Sequence, residues 1–229
     1  MNQVMIIAAG DIGSALANQW FTNHHVTVVS RTKPMCQYHE YIPLDIDDPT
    51  CLEAIANAVV AKKIDCVVNT MGVLHREHHT PEKTLANLDD AWFMENMRVN
   101  CLFTLKLLSR LTAVLPKDSS LRFIAFSARV GSISDNQWGG WVSYRTSKAA
   151  LNMVIKTTAI EWARRFPNAV VIGYHPGTVD TRLSKPFSSH APELFSPAKA
   201  ALDLNALIAH LTPSMSGNVY DWAQNRVPF

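Results

Sequence analysis

Two residues of one predicted helix could carry out acid–base chemistry. Tyr144 and Lys148 lie four residues apart within 141–166, a stretch that contains no Gly or Pro and repeats apolar side chains at helical spacing. Side chains at this spacing lie one above the other on the same helical face. Because an ammonium group favours a neighbouring phenolate, we expect Lys148 to lower the pKa of Tyr144 from its free value of about 10. The pair is therefore a candidate proton donor and acceptor, although a solvated Tyr beside a solvated Lys would show the same spacing.

The composition predicts a single globular domain over residues 1–229. Hydrophobic residues make up 48% of the chain, charged residues 17%, and the net charge is +2. Lys and Arg are scattered without a basic tract, which argues against nucleic-acid binding. Apolar runs are strand-sized, the start lacks a basic flank, and the four Cys have no C-x-x-C spacing. We therefore expect a cytoplasmic protein with reduced thiols that does not enter membranes.

The first thirty residues read as strand, glycine turn, helix and second strand, which predicts a dinucleotide-binding unit. The turn has the pattern Ala8-x-Gly10-x-x-Gly13. Gly10 would let the backbone approach a pyrophosphate, and Gly13 would let the helix pack closely on the strand. The helix N-terminus, which includes Asp11 and Ile12, would hold the anion. A tight turn without a ligand would need the same glycines.

The end of the second strand predicts which dinucleotide binds. An NAD site expects an acidic residue about 20 residues beyond the glycine turn, to bind the ribose 2′-hydroxyl. The chain instead reads Ser30-Arg31-Thr32-Lys33 and offers no acid there. Arg31 could pair with a 2′-phosphate, with help from Ser30 and Thr32. We therefore predict NADP in preference to NAD, and an ordinary polar loop is the alternative.

Strands and helices alternate along the whole chain. This order predicts an α/β fold: a single-domain, Rossmann-type, doubly wound parallel sheet with helices on both faces. No helix is predicted over 33–43. Further helices are predicted over 50–62, 88–115, 141–166 and 196–211, and further strands over 41–45, 64–70, 121–127, 169–174 and 217–222.

A histidine cluster could suggest a metal site. His75 and His79 are four residues apart, as metal ligands on one helix would be. Pro81 follows, however, and no apolar face would hold a helix there. We expect a solvated loop without a metal, and a metal-dependent hydrolase is a distant alternative.

Taken together, these motifs resemble the short-chain dehydrogenase/reductase family over essentially the whole chain, and within it the small C-factor-like and carbonyl-reductase-like members. One motif alone would be weak, whereas five in the right order are strong. The five motifs are the strand–glycine–helix start, Asn69-x-x-Gly72, Gly131-Ser132-Ile133 with Gly139-Gly140-Trp141, Tyr144-Arg145-x-Ser147-Lys148, and Pro176-Gly177-x-Val179-x-Thr181.

The resemblance implies an NAD(P)-dependent oxidoreductase that reduces a carbonyl compound or oxidises the alcohol. Tyr144 would protonate the carbonyl oxygen as hydride arrives from the nicotinamide, and Lys148 would lower the pKa of Tyr144 and hold the nicotinamide ribose. Asn100, inside the predicted helix 88–115, would anchor a water of the proton relay. From the residues alone, Asn100 could equally be a satisfied amide in the core.

The resemblance also implies where the cofactor lies. Asn69 and Gly72 would follow the adenosine ribose, and Asp45 and Ile46 would flank the adenine, although Asp45 could equally cap a turn. The turn that starts at Pro176 and Gly177 would bring Val179 and Thr181 to the carboxamide and the phosphates.

Two departures from the family pattern affect the predicted site. The glycine turn is one residue shorter than usual, and Asp11 brings a negative charge near the pyrophosphate unless it turns away as a helix cap. Relatives often use a Ser at the position of Ala128 to bind the substrate carbonyl. Ser127 could serve after a shift of one residue, or Ser132 or Ser134 could reach in.

Substrate and subunit contacts are predicted from apolar residues. The segment 183–195 reads as a mobile lid, and its Leu183 and Phe187 suggest an apolar carbonyl substrate. The helix over 149–162 is apolar around most of its surface, so one face could contact a second subunit in a homodimer or homotetramer. The alternative function is a dinucleotide-binding regulatory or cell-signalling protein that has lost efficient turnover.

Overall fold

The fold is built on one twisted sheet. A computed structural model describes residues 2–189 and 193–229. Within them, the strands are β1 (Asn2–Ile7), β2 (His24–Ser30), β3 (Glu40–Pro43), β4 (Cys66–Asn69), β5 (Arg122–Phe126), β6 (Val170–His175), β7 (Val219–Asp221) and β8 (Arg226–Val227). These eight strands form a sheet in the order β3-β2-β1-β4-β5-β6-β7-β8. Strands β1 to β7 run parallel, and β8 pairs antiparallel with β7.

Helices cover both faces of this sheet, which confirms the predicted doubly wound fold. Alternate residues of each strand point to opposite faces. The helices are α1 (Asp11–Trp20), α2 (Pro49–Ala61), α3 (Asp90–Met97), α4 (Phe103–Val114), α5 (Val142–Arg165) and α6 (Pro197–His210). Met5 and Ile7 of β1 join a core with α2, α4 and α5, whereas Ile6 joins a core with α1 and α6. No helix of the described residues is long and apolar enough to cross a membrane.

The antiparallel strand β8 was not predicted, because the last predicted strand covers 217–222. Its cause is a tight turn after β7, where Gln224 adopts a left-handed backbone with φ of 64°. The Asp221 carboxylate accepts the backbone N–H groups of Ala223 (3.1 Å) and Asn225 (2.9 Å) and so stabilises the turn. The chain therefore folds back on the sheet edge within a few residues.

The helix predicted over 88–115 is interrupted. A π-helical turn, Arg98–Leu102, separates α3 from α4, and Asn100 lies within it. Such wide turns in otherwise α-helical segments often lie at functional sites because they turn a side chain away from its regular direction. The turn places Asn100 against the segment that follows β4, where it contacts Val73.

Candidate active site

A large cleft of 1460 Å³ opens at the carboxyl ends of the parallel strands. Residues that follow each of the strands β1 to β6 contribute to its walls. This edge of an open parallel sheet is where ligands bind in doubly wound folds. Most of the predicted site residues line it: Gly10, Asp11, Ile12, Arg31, Asp45, Ile46, Gly72, Ser127, Tyr144, Lys148, Pro176, Gly177, Val179 and Thr181.

The other predicted site residues are Gly13, Ser30, Thr32, Asn69 and Asn100, and they do not line the cleft. The buried Asn69 side chain donates to Thr104 Oγ1 (2.9 Å) and accepts from the backbone of Met71 (3.0 Å), which fixes the turn after β4. The Ser30 hydroxyl donates to the carbonyl of Thr32 (2.7 Å). These side chains therefore lie outside the cleft lining and stabilise the segments next to it.

The glycine turn leaves the start of α1 free for an anion. Thr70 Oγ1 donates to the carbonyl of Ala8 (2.6 Å) and holds the turn. A Cβ atom on Gly13 would lie 3.2 Å from both Ile6 Cγ2 and Thr70 Oγ1, so the helix needs glycine there to pack this closely. Within the described residues, the backbone N–H groups of residues 11–13 have no hydrogen-bond acceptor. They fit the phosphate groups of a dinucleotide.

Asp11 does not cap its helix. Gly10 occupies the N-cap position and no side chain caps it. The Asp11 carboxylate instead accepts the backbone N–H of Arg182 (2.8 Å), and its other oxygen lies 3.6 Å from Arg182 Nε. The carboxylate therefore turns toward the loop that follows β6.

The end of the cleft beyond β2 is exposed and charged. Arg31 forms no ion pair with any described residue, whereas Arg98 binds both Asp47 and Glu95 (Nε–Oε2 2.8 Å). The Asp45 carboxylate accepts the backbone N–H of Asp47 (2.9 Å), so it caps a turn while it lines the cleft. Arg31 is thus free to bind a ligand, whereas Arg98 is held in place.

Tyr144 and Lys148 form the inner wall and are both buried, with exposed fractions of 8% and 2%. Lys148 Nζ donates to the carbonyl of Phe126 (2.7 Å) and lies 5.7 Å from the centre of the Tyr144 ring. Burial raises the pKa of Tyr144 above its ordinary value, which is opposite to the shift predicted from Lys148. Burial also lowers the pKa of Lys148 to about 8.

Asn100 fastens the helix of Tyr144 to the loop after β4. Its side chain accepts from Val73 N (2.7 Å) and donates to Val73 O (2.9 Å) and to Ser147 Oγ (2.9 Å). Ser147 in turn donates to the carbonyl of Tyr144 (2.8 Å). A Cβ atom on Gly72 would lie 3.5 Å from Asn100 Oδ1 and 3.6 Å from Lys148 Nζ, so these side chains meet beside Gly72.

Of the three candidate serines, Ser127 lines the cleft and Ser132 and Ser134 do not. The buried Ser127 hydroxyl donates to Asn152 Oδ1 (2.6 Å). Ser132 Oγ accepts from the backbone N–H of residue 135, and Ser134 Oγ donates to the backbone carbonyl of residue 229. Ala128 lies beside Ser127 on the cleft wall with only a methyl group.

Aromatic rings surround the Tyr144 end of the cleft. The Trp141 ring meets the rings of Tyr144 (6.4 Å between centres) and Phe187 (5.3 Å) edge to face, and His75 meets Phe187 in the same way (5.5 Å). Trp141 adopts a left-handed backbone with φ of 53°, one residue before α5. Phe187 belongs to the predicted lid 183–195, of which residues 190–192 lie outside the described residues.

Sequence reasoning missed two further residues of the cleft wall, Arg129 and His175. Arg129 Nη2 binds Asp221 Oδ2 (2.8 Å), and Asp221 is itself buried. His175, at the end of β6, is half-buried beside this pair, and its partial removal from water together with the Arg129 charge lowers its pKa to about 4. The pairing partners come from distant parts of the chain, so no local pattern announces them.

The histidine cluster is a loop, as predicted. Arg76 and His79 form a short antiparallel bridge, and the His79 ring stacks on Trp92 at 5.0 Å. His75 Nε2 instead lies 3.1 Å from the carbonyl of Arg182, across the cleft. No group of three or more His, Cys, Asp or Glu in the described residues is arranged to hold a metal ion.

Known proteins are similar to this chain in sequence and in fold. The profile of a family described as enoyl-(acyl carrier protein) reductase matches residues 12–211. The chain is 30% identical to 1-hydroxy-2-glutathionyl-2-methyl-3-butene dehydrogenase of Rhodococcus sp. (strain AD45) over 176 residues, which are 76% of this chain and 73% of that protein. It is 27% identical to the C-signal protein of Myxococcus xanthus over 179 residues, which are 78% of this chain and all of that protein.

A solved structure agrees over the whole length. The NADPH-bound carbonyl reductase from chicken fatty liver superposes with a TM-score of 0.83 at 20% identity and covers 100% of this chain and 99% of its own. At this identity the likeness concerns the fold. Together with the family match, it shows that the chain belongs to the short-chain dehydrogenase/reductase family and is an oxidoreductase acting on CH–OH or C=O groups.

Proposed function

We propose that the protein reduces a carbonyl compound with NADPH, or catalyses the reverse oxidation, with Tyr144 as general acid or base. The observation that carries this proposal is that one cleft joins the free N–H groups of α1 to the buried pair of Tyr144 and Lys148. The N–H groups can hold a dinucleotide, and the buried pair can exchange a proton with a bound substrate. When bound, the nicotinamide would supply the hydride.

Tyr144 carries the proton that a general acid would donate. Because burial raises its pKa, Tyr144 keeps its proton at neutral pH. Its hydroxyl has no hydrogen-bond partner among the described residues, so it is free to bind a carbonyl oxygen. With a pKa of about 8, Lys148 is mostly charged at neutral pH, and its ammonium group can bind a ribose hydroxyl and stabilise negative charge that develops nearby.

Asn100 and Ser127 would act beside this pair. The chain of hydrogen bonds from Asn100 through Ser147 to the carbonyl of Tyr144 holds the helix in register, and it would hold the water of the proton relay. Ser127 must rotate away from Asn152 to donate to a substrate carbonyl, whereas it can accept from a substrate alcohol as it stands. We propose that it replaces the hydroxyl missing at Ala128.

The remaining predicted residues would bind the cofactor. We propose that the free guanidinium of Arg31 binds a 2′-phosphate and makes NADP the preferred cofactor, with support from Ser30 and Thr32. The chicken carbonyl reductase, whose structure contains NADPH, agrees with this choice. The other proposed contacts with the cofactor are those of Gly10, Asp11, Ile12, Gly13, Asp45, Ile46, Asn69, Gly72, Pro176, Gly177, Val179 and Thr181.

The aromatic wall supports an apolar or aromatic carbonyl substrate. The rings of Trp141, Phe187 and His75 lie at the Tyr144 end of the cleft and would pack against the substituents of the reacting carbon. Edge-to-face contacts with a substrate ring add to the burial of its apolar surface.

The test is a titration of the purified protein with NADPH and with NADH by calorimetry, followed by a screen of aldehydes and aryl ketones for NADPH oxidation. We expect NADPH to bind more tightly than NADH, and turnover to be fastest with aryl ketones. Failure to bind either cofactor would refute the proposal.

A signalling function is the second candidate. The likeness to the C-signal protein and the Ala at position 128 favour it. It predicts cofactor binding without turnover of any carbonyl compound in the screen, whereas the first candidate predicts both.

The chain would assemble through α4 and α5. These helices pack together, and Leu105, Met153 and Ile160 on them are exposed. We propose that they contact a second subunit in a homodimer or homotetramer, and light scattering with Met153→Glu as the disrupting variant tests this. The four cysteines are free thiols, which agrees with the cytoplasmic location that we propose.

A further inference from the structure

One residue fastens the loop after β6 to both walls of the cleft. The backbone N–H of Arg182 donates to the Asp11 carboxylate (2.8 Å), and its carbonyl lies 3.1 Å from His75 Nε2. Asp11 belongs to the first turn of α1, and His75 follows β4. The chain at Arg182 therefore crosses the mouth of the cleft from the glycine turn to the substrate end.

Without a neighbouring cation, the Asp11 carboxylate would repel a bound pyrophosphate. This carboxylate lines the cleft in the turn whose free N–H groups fit the phosphates. Two negative groups repel each other, and the strength of the repulsion depends on the charges and the solvent around them. The Arg182 guanidinium lies beside this carboxylate: its Nε is 3.6 Å from Asp11 Oδ1, and 88% of its side chain is exposed.

Arg182 differs from most other cations of the cleft in having an unused donor set. Arg98 binds Asp47 and Glu95, Arg129 binds Asp221, and Lys148 donates to a backbone carbonyl. Among the described residues, the two terminal nitrogens of Arg182 have no acceptor. A guanidinium can bind a carboxylate along one edge and a phosphate along another, because its five N–H donors lie in one plane.

We propose that Arg182 is a cofactor-positioning residue that lies between Asp11 and the pyrophosphate of the bound dinucleotide, an inference that rests on the proposed function. Asp11 then orients a cation toward the phosphates and no longer repels them. This arrangement compensates for the shortened glycine turn by adding a charged contact from the opposite wall of the cleft. The pyrophosphate is common to both dinucleotides, so Arg182 contributes equally to NADPH and NADH binding.

The test is a double-mutant cycle read by calorimetric titration with NADPH and NADH. Arg182→Ala keeps the backbone N–H that Asp11 accepts, and Asp11→Asn keeps an acceptor oxygen, so each variant changes only charge and side-chain contact. We expect Arg182→Ala to weaken both cofactors by a similar factor of about ten or more, the size of a lost charge-assisted hydrogen bond. Lys185→Ala, a charge removed from the same loop outside the cleft wall, should change neither by more than about twofold.

The double-mutant cycle distinguishes an effect of the Arg182–Asp11 pair on cofactor affinity from the separate effects of the two charges. In the presence of Arg182, Asp11→Asn should change the Kd for NADPH by less than about threefold, since the carboxylate is neutralised. In the Arg182→Ala background the same change should tighten binding by about threefold or more, because it removes an unshielded repulsion. Additive effects, or an Arg182→Ala protein that binds as the wild type does, would overturn the inference.

Two controls keep the result interpretable. Thermal unfolding of each variant checks that it is folded. Arg182→Lys keeps the charge and should therefore recover part of the affinity that Arg182→Ala loses. It takes the place of Arg182→Ala if that variant proves unstable. A wild-type protein that binds neither cofactor would remove the proposed function itself. Tight binding by the wild type that is unchanged in Arg182→Ala would remove only the role of Arg182.

Discussion

The two ends of the cleft differ in how much of their geometry the protein supplies by itself. At the inner end, Tyr144 and Lys148 are buried, and hydrogen bonds through Asn100 and to Phe126 fix the helix and the ammonium group. At the outer end, Arg31 is exposed and binds no described residue. Contacts within the protein hold the inner end in place, whereas no described residue holds the Arg31 guanidinium at the outer end.

This difference decides which kind of change each end can tolerate. A buried charge or hydroxyl has no water to replace a lost partner, so a substitution there changes ionisation and chemistry together. An exposed Arg contributes through one charged contact in a solvent of high dielectric. Substitutions at the inner end should therefore affect turnover, and those at the outer end should affect affinity.

After removal of the Tyr144 hydroxyl itself, the largest effect is expected at Lys148. Lys148→Met should lower kcat by about a hundredfold or more, because the ammonium group beside Tyr144 is lost. The same change should raise the free energy of unfolding at neutral pH by about 1–2 kcal/mol, since burial of the charge lowers the pKa of Lys148 and this cost disappears.

Kinetics and urea unfolding measure the two outcomes at Lys148. Lys156→Met on the same helix, outside the cleft wall, is the control and should leave kcat unchanged. A Lys148→Met protein that is both active and less stable would contradict the inner-end account.

The second effect is a loss of stability in acid through His175. Its folded-state pKa is about 4, against an ordinary value of 6.5, so the unfolded chain takes up a proton first as the pH falls. Stability is therefore complete above about pH 6.5 and declines toward pH 4, by about 2 kcal/mol at pH 5. Urea unfolding of the wild type and of His175→Asn across this range measures the difference, which should vanish if His175 titrates normally.

The third effect belongs to the outer end. Arg31→Ala should weaken NADPH binding about tenfold and NADH binding by less than about twofold, because only NADPH carries the 2′-phosphate. Lys33→Ala is the matched control: Lys33 lies two residues further on, beside the Tyr41 ring, and does not line the cleft. Equal losses for both cofactors in Arg31→Ala would refute the assignment.

The smallest effect is expected in the glycine turn. Ala8 adopts a left-handed backbone with φ of 59°, which costs a non-Gly residue about 1 kcal/mol or more. Ala8→Gly should therefore raise the free energy of unfolding by about 0.5 kcal/mol, after the extra entropy of Gly in the unfolded chain is subtracted. Ala9→Gly, at a position with ordinary φ, should lower it. Urea unfolding of both variants provides the comparison.

The sequence predicted most of the fold because its helices and strands carry their own periodic patterns. The long helix α5 and the glycine turn before α1 lie within a few residues of their predicted positions. The π-helical turn around Asn100 and the antiparallel β8 were missed, since both depend on hydrogen bonds to particular neighbours.

The candidate site shows the same division. Spacing alone placed Tyr144 and Lys148 together, but the direction of the Tyr144 pKa shift was wrong because burial cannot be read from a helical repeat. The contact of Arg182 with Asp11 joins residues 171 positions apart, and no local signal predicts it.

The most direct test of the central claim is the kcat and cofactor affinity of Tyr144→Phe, measured on the best ketone from the screen. The account predicts a loss of about a thousandfold in kcat with a Kd for NADPH within about threefold of the wild type, since the variant removes only the hydroxyl that moves the proton. Tyr38→Phe, outside the cleft wall, should match the wild type in both. A Tyr144→Phe protein that turns over at the wild-type rate would contradict the account.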